Sequence, residues 1–315
     1  SRRPLLPRAP GMTAAMDGAA CPRGPAASCA PLMEADSRLP PQPPQLEVLT
    51  ALPARDLVSL LLASLGHSRL LRSARIADWA LLPRHPELAA GRWPRPCWLH
   101  EAARREEALA LETFGDGWQE RWQSTGSPSY GCVLSAPGIG NCSEGSNSSF
   151  QALSIGPPQG VTVMPGSGFL WHLQEPLRPR SFSWLTSSSG AGAGGDGRVG
   201  CVSVRERLGL ELLRVYFNRG SLWWEKSSMD PIPILTEVKD GYWYHIRCRL
   251  DWKRCIADVS VFLLDGEAPQ KVNSCTGLGF HGGVEVVTEV LAGSVAFGCS
   301  RLSGCQAYLS DLCFS

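Results

Sequence analysis

Pairs of acidic residues are the first features of the sequence that could support chemistry. Glu237 and Asp240 lie three residues apart, and Glu285 and Glu289 lie four apart. General acid and base catalysis needs carboxyl groups at a defined separation, in surroundings that shift their pKa values apart. Glu237 and Asp240 fall in a predicted loop, and no third acidic residue accompanies the other pair. We therefore interpret all four as solvated charges.

The histidines and glycines form no motif for catalysis or nucleotide binding. His172, His245 and His281 have no motif-forming neighbours, and the chain contains no G-x-S-x-G sequence. We interpret His245, in the polar row of a predicted strand, as a surface residue. Residues 187–197 are predicted to form a flexible loop between two strands. Within it, residues 190–195 fit G-x-G-x-x-G, but that motif needs a helix after it, and residues 198–202 resemble a strand. We therefore expect no catalytic residues, no cofactor and no enzymatic activity.

Two adjacent tryptophans are the best candidates for ligand contact. Trp223 and Trp224 lie in the short run Ser221 to Glu225. Neighbouring residues of a strand point to opposite faces, so one of the two rings must lie off the core face. A flat outward ring can stack on the apolar face of a sugar. The alternative is that strand aromatics of this kind belong to the core.

The strands that would carry these residues are clearest between residues 210 and 266. Apolar residues alternate with polar ones over residues 242–252, which is typical of an antiparallel strand with one buried face. The row predicted to face inward comprises Tyr242, Tyr244, Ile246, Cys248, Leu250 and Trp252. A second alternating run, Ala257 to Leu263, follows too closely for a parallel crossover, so the two runs should pair as antiparallel neighbours. Asp265-Gly266 then predicts a hairpin turn.

A third apolar row lies upstream and extends the predicted sheet. Leu213, Val215 and Phe217 form this row, and the turn 218–220 leads from it into the tryptophan run. We predict a meander of at least four antiparallel strands. The apolar face of such a sheet must be covered, and the strand-rich sequence around it favours a second sheet as the cover. The predicted fold class is therefore mainly β, a two-sheet antiparallel sandwich.

Composition and charge disfavour several classes of function. The chain has 315 residues, and its 33 glycines and 25 prolines suit many short strands and turns. Its 30 basic and 29 acidic residues give a net charge of +1, which does not favour binding to nucleic acid or to an anionic membrane. No apolar run approaches the roughly 18 residues that span a bilayer, so we expect a soluble protein.

The cysteines bear on metal binding and on the cellular compartment. There are twelve, without a C-x-x-C pair or a Cys/His set suited to a metal, so we expect no metal site. The N-terminal residues show no secretory signal. We interpret the cysteines as free thiols in the cytoplasm, with the nucleus as another possible location. The alternative is an extracellular protein with paired cysteines, whose signal peptide lies upstream of this sequence.

Changes in composition divide the chain into three parts. Residues 1–44 are rich in proline and alanine and are predicted to be a disordered lead. Residues 45–99 are predicted to form a small helical segment and a linker. This linker, residues 91–107, is predicted to run into the next part and to end in one charged helical turn. Residues 100–315 are predicted to form the sandwich. The first helix carries an apolar stripe at residues Leu57, Leu60, Leu61 and Leu65, with Pro53 in its first turn.

The helical segment resembles an F-box. The matching residues are Leu52-Pro53, Asp56-Leu57, Trp79, and Pro86 with Leu88 before Trp93. This resemblance implies docking on the adaptor subunit of a cullin-RING ubiquitin ligase. The residues implied to bind the adaptor are Leu52, Pro53, Leu57, Leu60, Leu61 and Leu65. The alternative is a helical hairpin that packs on the chain's own sandwich.

The C-terminal part resembles the concanavalin A-like, or laminin-G-like, jelly-roll domains. The resemblance lies in the opening LETFGDGWQERWQSTG, in the pair Trp243-Tyr244 with Ile246 and Asp251-Trp252, and in the closing AYLSDLCF. It implies a jelly-roll sandwich in which the first strand pairs with the last. Enzymes, lectins and adhesion modules share this fold, so the resemblance alone does not select a function. The E-x-D-x-x-E set of glycosidases with this fold is absent from the sequence.

Two functions therefore remain open from the sequence. The first is a non-enzymatic substrate-recognition subunit of a ubiquitin ligase, with the sandwich binding an unknown protein target. The second is a carbohydrate-binding or adhesion module, in which Trp223 or Trp224 contacts a glycan.

Overall fold

The structure is a computed structural model that describes the sandwich and short pieces of the preceding segment. It describes residues 52–54, 56, 57, 84, 85, 98–115, 117–125, 131–136, 150–155, 168–189, 198–207, 210–226, 230–265, 269–295 and 306–315. All of these belong to the unit Pro43–Ser315. The predicted disordered lead and most of the predicted helical segment, with the candidate residues Leu60, Leu61 and Leu65, lie outside the described residues. The division of the chain into these three parts stays a prediction.

Most of the described residues form β-strands. The elements in chain order are α1 (Trp98–Glu106), β1 (Ala110–Glu112), α2 (Trp118–Arg121), β2 (Trp122–Thr125), β3 (Gly131–Ala136), β4 (Phe150–Ile155), β5 (Gly168–Leu177), β6 (Ser181–Ser189), β7 (Arg198–Arg205), β8 (Glu211–Asn218), β9 (Ser221–Glu225), β10 (Ile232–Leu235), β11 (Trp243–Asp251), β12 (Ile256–Leu263), β13 (Gln270–Gly279), β14 (Val287–Val295) and β15 (Gln306–Phe314). In the described part of the chain, no helix is long and apolar enough to cross a bilayer.

The strands form two antiparallel sheets. The eight-stranded sheet has the order β13-β12-β11-β6-β15-β4-β3, and β1 adds to β15. The seven-stranded sheet has the order β10-β9-β8-β7-β14-β5-β2. The prediction of a mainly β, two-sheet antiparallel sandwich is therefore confirmed, and β1 pairs with β15 as the jelly-roll resemblance implies.

The core lies between the two sheets and is rich in aromatic rings. Trp122 and Trp171 of the seven-stranded sheet stack with ring centroids 5.7 Å apart, and Trp171 also meets Phe314 of the eight-stranded sheet at 6.2 Å. Phe182 and Trp184 stack at 5.3 Å. These side chains are at most 6% exposed. Burying rings of this size, at roughly 25 cal/mol for each Å² of apolar surface, is the main force that holds the two sheets together.

The central predicted strand pair is confirmed in register and direction. β11 and β12 pair antiparallel, with Ile246 opposite Val261 and Cys248 opposite Val259. Tyr244 and the next three alternate residues of its row are buried in the core, and Trp252 packs against it. Tyr242 differs because it precedes the strand, and it is 37% exposed. β12 continues into β13 as a hairpin, although Gly266 lies outside the described residues.

The prediction of one continuous meander is wrong. β8, β9 and β10 belong to the seven-stranded sheet, whereas β11 and β12 belong to the eight-stranded sheet. The intervening loop is bonded to both sheets, since Val238 donates its N–H to Gly220 O at 2.7 Å and Gly241 donates to Ser188 O at 2.7 Å. Gly241 has a φ of 79°, a left-handed value that favours glycine. The chain therefore crosses between the sheets at this loop.

Helix α1 covers part of the outward face of the eight-stranded sheet. Its buried residues are Trp98, Glu101, Ala102 and Arg105, which are spaced to form one helical face. Arg105 donates to Asp311 Oδ1 at 2.8 Å, and the Arg104 guanidinium donates to Ser183 Oγ at 2.8 Å. The predicted linker with one charged turn is therefore a helix packed on the sandwich, and two of its charged residues, Glu101 and Arg105, are buried.

A bulge in β15 supplies the partner of this helix. Leu309 and Leu312 belong to the core, so the two residues between them both leave the inward row. Asp311 has a φ of 51°, and the pairing of β15 with β6 shifts register between Ser310 and Cys313. An extra residue in a bulge re-aims the side chain beside it. The buried Asp311 carboxylate thereby meets Arg105.

The first turn of the F-box-like segment also contacts α1. The N–H of Ala54 donates to Glu106 Oε2 at 2.6 Å, and Asp56 and Leu57 donate to Pro53 O as in a helical turn. Leu57 is fully buried, Leu52 is half-buried and Pro53 is exposed. Leu57 is therefore not open to a partner subunit in this conformation, and its burial fits the alternative in which the segment packs on the chain's own fold.

Two local predictions are wrong: the exposure of His245, which lies beneath α1, and the start of the loop after β6. His245, interpreted from the sequence as a surface residue, is fully buried, and Arg247 donates to its Nδ1 at 3.2 Å. It faces outward as predicted, but Arg104 of α1 lies near it and the face is covered. Ser187 to Ser189, predicted as loop, extend β6, while residues 190–197 lie outside the described residues.

Replacing Arg105 with alanine tests the docking of α1. Asp311 is fully buried, so losing its cationic partner leaves a buried charge and should lower the free energy of unfolding by about 3–5 kcal/mol. Urea denaturation measures the change. Arg207→Ala, at an exposed site, should stay within about 0.5 kcal/mol of the parent. Equal stability of the two variants would show that α1 does not depend on this contact.

The buried His245 predicts a loss of stability in acid. Burial, together with the positive charges of Arg247 and Arg104, lowers its pKa well below 6.5. Below pH 6.5 the unfolded chain binds a proton that the folded chain does not bind. The free energy of unfolding should then fall by up to about 1.4 kcal/mol per pH unit until the folded-state pKa is reached.

The His245→Gln variant isolates this effect. The parent protein and the exposed-site control His100→Gln should lose stability between pH 6.5 and pH 5, as measured by urea denaturation. His245→Gln should lose less over the same interval. A parallel decline in all three proteins would assign the acid sensitivity to other groups.

Candidate functional site

The outward face of the seven-stranded sheet gathers charged residues from four strands. On β8, Leu213, Val215 and Phe217 point into the core, so Arg214 and Tyr216 point outward. The same alternation turns Ser203 and Arg205 of β7 outward beside Val202 and Val204. This face therefore carries the polar side chains that the sandwich does not bury between its sheets.

A chain of hydrogen bonds joins the charges on β7 and β8. Arg214 donates through Nε to Glu211 Oε2 at 2.8 Å, Ser203 Oγ donates to the other Glu211 oxygen, and Arg205 Nε donates to Ser203 Oγ at 2.8 Å. Burial lowers the pKa of Arg214, but its hydrogen bond and ion pair with Glu211 outweigh burial and leave that pKa raised. Glu211 and Ser203 are buried although they face away from the core. The network is thus largely preorganised.

This charged row continues onto β14 and β5. Glu289 of β14 lies opposite Arg205 on one side and His172 of β5 on the other. Its Oε1 lies 3.2 Å from His172 Nδ1, and the side chain of Glu289 is 10% exposed whereas that of His172 is 45% exposed. The interpretation of Glu289 as a solvated charge is therefore wrong, because β5 places an imidazole beside it. His172 thus has an acidic neighbour that lies far away in sequence.

A cleft of about 530 Å³ opens beside His172. It lies where β1 of the eight-stranded sheet approaches α2, β2 and β5 of the other half of the sandwich. Its polar walls come from Glu120, Arg121, Gln123, His172, Gln174 and Glu175, and its apolar walls from Leu109, Ala110, Leu111, Trp171, Leu173 and Leu177. The cleft therefore offers hydrogen-bonding groups and apolar surface together.

The single arginine of this cleft already has an anionic partner. Arg121 donates to the buried Glu112 carboxylate at 2.7 Å from Nε and at 2.9 Å from its terminal nitrogen. This hydrogen bond raises the pKa of Arg121. Glu112 also accepts from the Phe114 N–H at 2.6 Å and from Trp122 Nε1 at 3.1 Å. Because the charge of Arg121 is balanced, the cleft lacks the unpaired cation that a phosphate group would need.

The remaining polar side chains of the cleft suit hydroxyl groups. The Gln123 and Gln174 amides can each donate and accept hydrogen bonds, Glu120 and Glu175 accept, and His172 can do either through Nε2. Across the described residues, no cluster of three or more metal-binding side chains is formed. The arrangement can therefore hold a neutral polar ligand by hydrogen bonds, and His172, one of its lining residues, is also paired with Glu289.

The two tryptophans separate as their adjacency predicts. Trp224 is buried in the core and donates from Nε1 to Gly279 O at 3.0 Å. Trp223 is half-buried on the outward face, where it packs against Tyr216 and Cys201 and donates to Asn218 O at 3.0 Å. Only Trp223 thus remains on an outward face, and its contact with a ligand stays a prediction. Burial raises the pKa of the neighbouring Cys201 thiol to about 12.

Sequence reasoning misses most of the cleft. Gln123 and Gln174 lie on strands in which apolar and polar residues alternate, but they belong to no motif. His172 and Glu289 come together only through the antiparallel pairing of β5 with β14. One available signal is that Gln123 and His172 each follow a tryptophan, Trp122 and Trp171, that must face the core. That alternation places both residues on the outward face.

Comparison with known proteins finds solved structures that are similar to this chain. No family model matches the chain, and no curated protein matches it. A sialidase is 12% identical with a TM-score of 0.44, over 66% of this chain and 18% of its own. An alginate lyase from Chlorella virus is 9% identical with a TM-score of 0.42, over 66% and 98%. Lectin II from Ulex europaeus is 8% identical with a TM-score of 0.42, over 66% and 99%.

These matches bear on three of the predictions. The F-box resemblance and the ubiquitin-ligase role find no support in these comparisons. The prediction that the protein is not an enzyme is contradicted, because a sialidase and an alginate lyase are among the similar structures. The chain spans about a fifth of the sialidase. Likeness at this level assigns no activity and no ligand to the chain.

The different burial of the two tryptophans can be tested by stability. Trp224→Ala removes a ring from the core and should lower the free energy of unfolding by about 3–5 kcal/mol. Trp223→Ala removes a half-buried ring and should cost about half as much or less. Urea denaturation of both variants gives the comparison. Equal losses would mean that Trp223 is as essential to the packing as Trp224, and thus poorly suited to contact a ligand.

Proposed function

We propose that the protein binds carbohydrate in the cleft beside His172. The observation that supports this proposal is the lining of the cleft, in which two glutamines, two glutamates and a histidine line the same cleft as several leucines. A sugar presents hydroxyl groups that donate and accept hydrogen bonds, and C–H faces that are apolar. The cleft offers a complement to each.

The shape and composition of the cleft favour a sugar over other small molecules. Its volume of about 530 Å³ lies in the range of ligand sites, which span about 300–1,000 Å³. Sites for drug-like or cofactor molecules are lined mostly by apolar and aromatic groups, whereas half of this lining is polar. A phosphorylated ligand is disfavoured because Arg121 is already paired with Glu112.

Leu111 of β1 and Leu109 just before that strand add apolar surface that water reaches. Leu109 is 57% exposed and Leu111 is 36% exposed, so a ligand in the cleft can cover apolar surface there. A C–H face of a sugar ring laid on this surface would shield the leucines, and the ring hydroxyls could then reach Gln123 and Gln174.

Trp223 provides a separate candidate contact for the same function. It lies on β9, four strands away from β5 in the sheet order, which corresponds to about 19 Å at a spacing of about 4.8 Å per strand. A single sugar cannot reach both places. If Trp223 takes part, the ligand is a chain of several sugars that crosses the outward face of the sheet.

Substitution of the glutamines tests the proposal. A glycan array should first identify oligosaccharides that the protein retains, and isothermal titration should then give their affinities. Gln123→Ala and Gln174→Ala should each weaken binding about two- to ten-fold, as expected for loss of one or two hydrogen bonds. Gln270→Ala on the exposed edge strand β13 is the matched control and should bind like the parent.

Two results would contradict the proposal. One is an array on which no glycan is retained by correctly folded protein. The other is a glycan whose affinity is the same in the parent, in Gln123→Ala and in Gln174→Ala. Trp223→Ala separates the two candidate contacts, because it should affect only long oligosaccharides.

A further inference from the structure

Exposed cations converge at one end of the eight-stranded sheet. They are Arg178, Arg180, Arg249, Lys253 and Arg254, which we name the basic end. Backbone contacts hold the contributing segments together, since Leu250 donates its N–H to Arg180 O at 2.8 Å and Trp252 Nε1 donates to Pro179 O at 2.7 Å. The whole chain has a net charge of only +1. The basic end is therefore a marked local excess of positive charge.

Most of this charge is not balanced by acidic partners. In the part of the chain that the structure describes, Arg249, Lys253 and Arg254 form no ion pair. The two acidic residues nearby are bonded to backbone groups. Asp251 Oδ1 accepts from the Lys253 and Arg254 N–H groups at 3.1 Å each, and Asp258 Oδ1 accepts from the Gly277 N–H at 3.0 Å. An anionic ligand could therefore approach the arginines without displacing an ion pair.

A second cleft, of about 640 Å³, lies within the basic end. Its charged and polar lining comprises Arg249, Asp251, Arg254, Asp258 and Thr276. Arginine can bind a carboxylate through two parallel hydrogen bonds, and the free carboxylate oxygens and the threonine can bond hydroxyl groups. The lining thus suits a ligand that carries both negative charge and many hydroxyls.

The two clefts adjoin along the chain. Leu177, the last residue of β5, lines the cleft beside His172, and the next residue, Arg178, belongs to the basic end. The Arg178 guanidinium lies over the Trp252 ring at 5.4 Å, and Trp252 itself lines the second cleft. A polymer that occupies the first cleft can therefore continue onto the basic end.

We propose that the basic end binds the carboxylate groups of an acidic polysaccharide, a polymer of uronic-acid sugars. The inference rests on the proposed function, from which it takes carbohydrate as the class of ligand, and it adds the charge of that ligand. Arg249 and Arg254 bind the sugar carboxylates, and Asp258 and Thr276 bond the hydroxyls between them.

A nucleic acid fits the same surface less well. Single strands bind proteins through bases stacked on exposed aromatic rings. At the basic end, one face of Trp252 is covered by Arg178, and its ring meets Phe280 edge-on at 5.5 Å. Asp251 and Asp258 can also accept hydrogen bonds from sugar hydroxyls.

Affinity electrophoresis with polygalacturonate in the gel tests the inference. The parent protein should be retarded by polygalacturonate, less so as salt is added, and not by the same polymer after full methyl esterification, which removes the charge. Arg249→Gln and Arg254→Gln should each weaken the apparent affinity about two- to five-fold, the range for a solvent-exposed ion pair. Arg207→Gln removes the same charge from an exposed turn that follows β7 of the other sheet and should behave like the parent.

Several results would overturn the inference. They are equal retardation of the parent, Arg249→Gln and Arg254→Gln, an equal effect of Arg207→Gln, equal binding to the methyl ester, or tighter binding to poly(dT) than to polygalacturonate. Thermal unfolding of each variant should match that of the parent, because Arg249 and Arg254 are exposed.

The outcome is distinguishable from a failure of the proposed function. If array glycans bind in a manner sensitive to Gln123→Ala but the arginine variants retain full affinity for polygalacturonate, the basic end has no such role and the cleft proposal stands. If polygalacturonate binding depends on Arg249 and Arg254 while the glutamine variants change no glycan affinity, the basic end binds the acidic polymer and the proposal for the cleft beside His172 is wrong.

Discussion

Burial of aromatic side chains between the two sheets is the constraint on which the rest of the structure depends. Trp171 and Phe314 meet across the sandwich, and Phe182, Trp184 and Trp122 extend this contact within the sheets. Because strand residues alternate in direction, each ring that faces the core turns its neighbours outward. The outward position of His172 follows from the inward position of Trp171, and that of Trp223 follows from Trp224.

The charged groups on the outward faces of the two sheets are stabilised in different ways. On the eight-stranded sheet, α1 covers part of the face, and the charges of Glu101, Arg105 and Asp311 compensate one another in a buried cluster. On the seven-stranded sheet, Glu211, Ser203 and Arg214 bond one another along the surface, and the row then opens at His172 into a cleft. Buried ionic contacts favour one geometry, since a misplaced charge would be left without a partner. The open cleft is where polar groups stay available to a ligand.

Much of the fold is accessible from sequence because the pattern of a strand is local. The inward row of β11, its pairing with β12 and the opposite orientation of the two tryptophans all follow from a two-residue period over a short stretch. The predicted meander is wrong at the loop before β11, because an alternating apolar pattern is compatible with either sheet. Hydrogen bonds from this loop to Gly220 of one sheet and Ser188 of the other hold it where the chain crosses between the sheets. The burial of His245 could not be predicted from the sequence for a related reason. Its coverage depends on α1, which is distant along the chain.

The sequence by itself determined which residues share a face of each strand, and hence that the chain forms a two-sheet sandwich with an aromatic core. Only the tertiary structure decided which faces are covered and which polar residues meet. His172 and Glu289, Arg105 and Asp311, and the two cleft glutamines lie far apart along the chain and are joined by strand order and by a bulge. The physical reason is that alternation is a property of the local backbone, whereas contact between distant strands depends on how the whole chain buries its apolar surface.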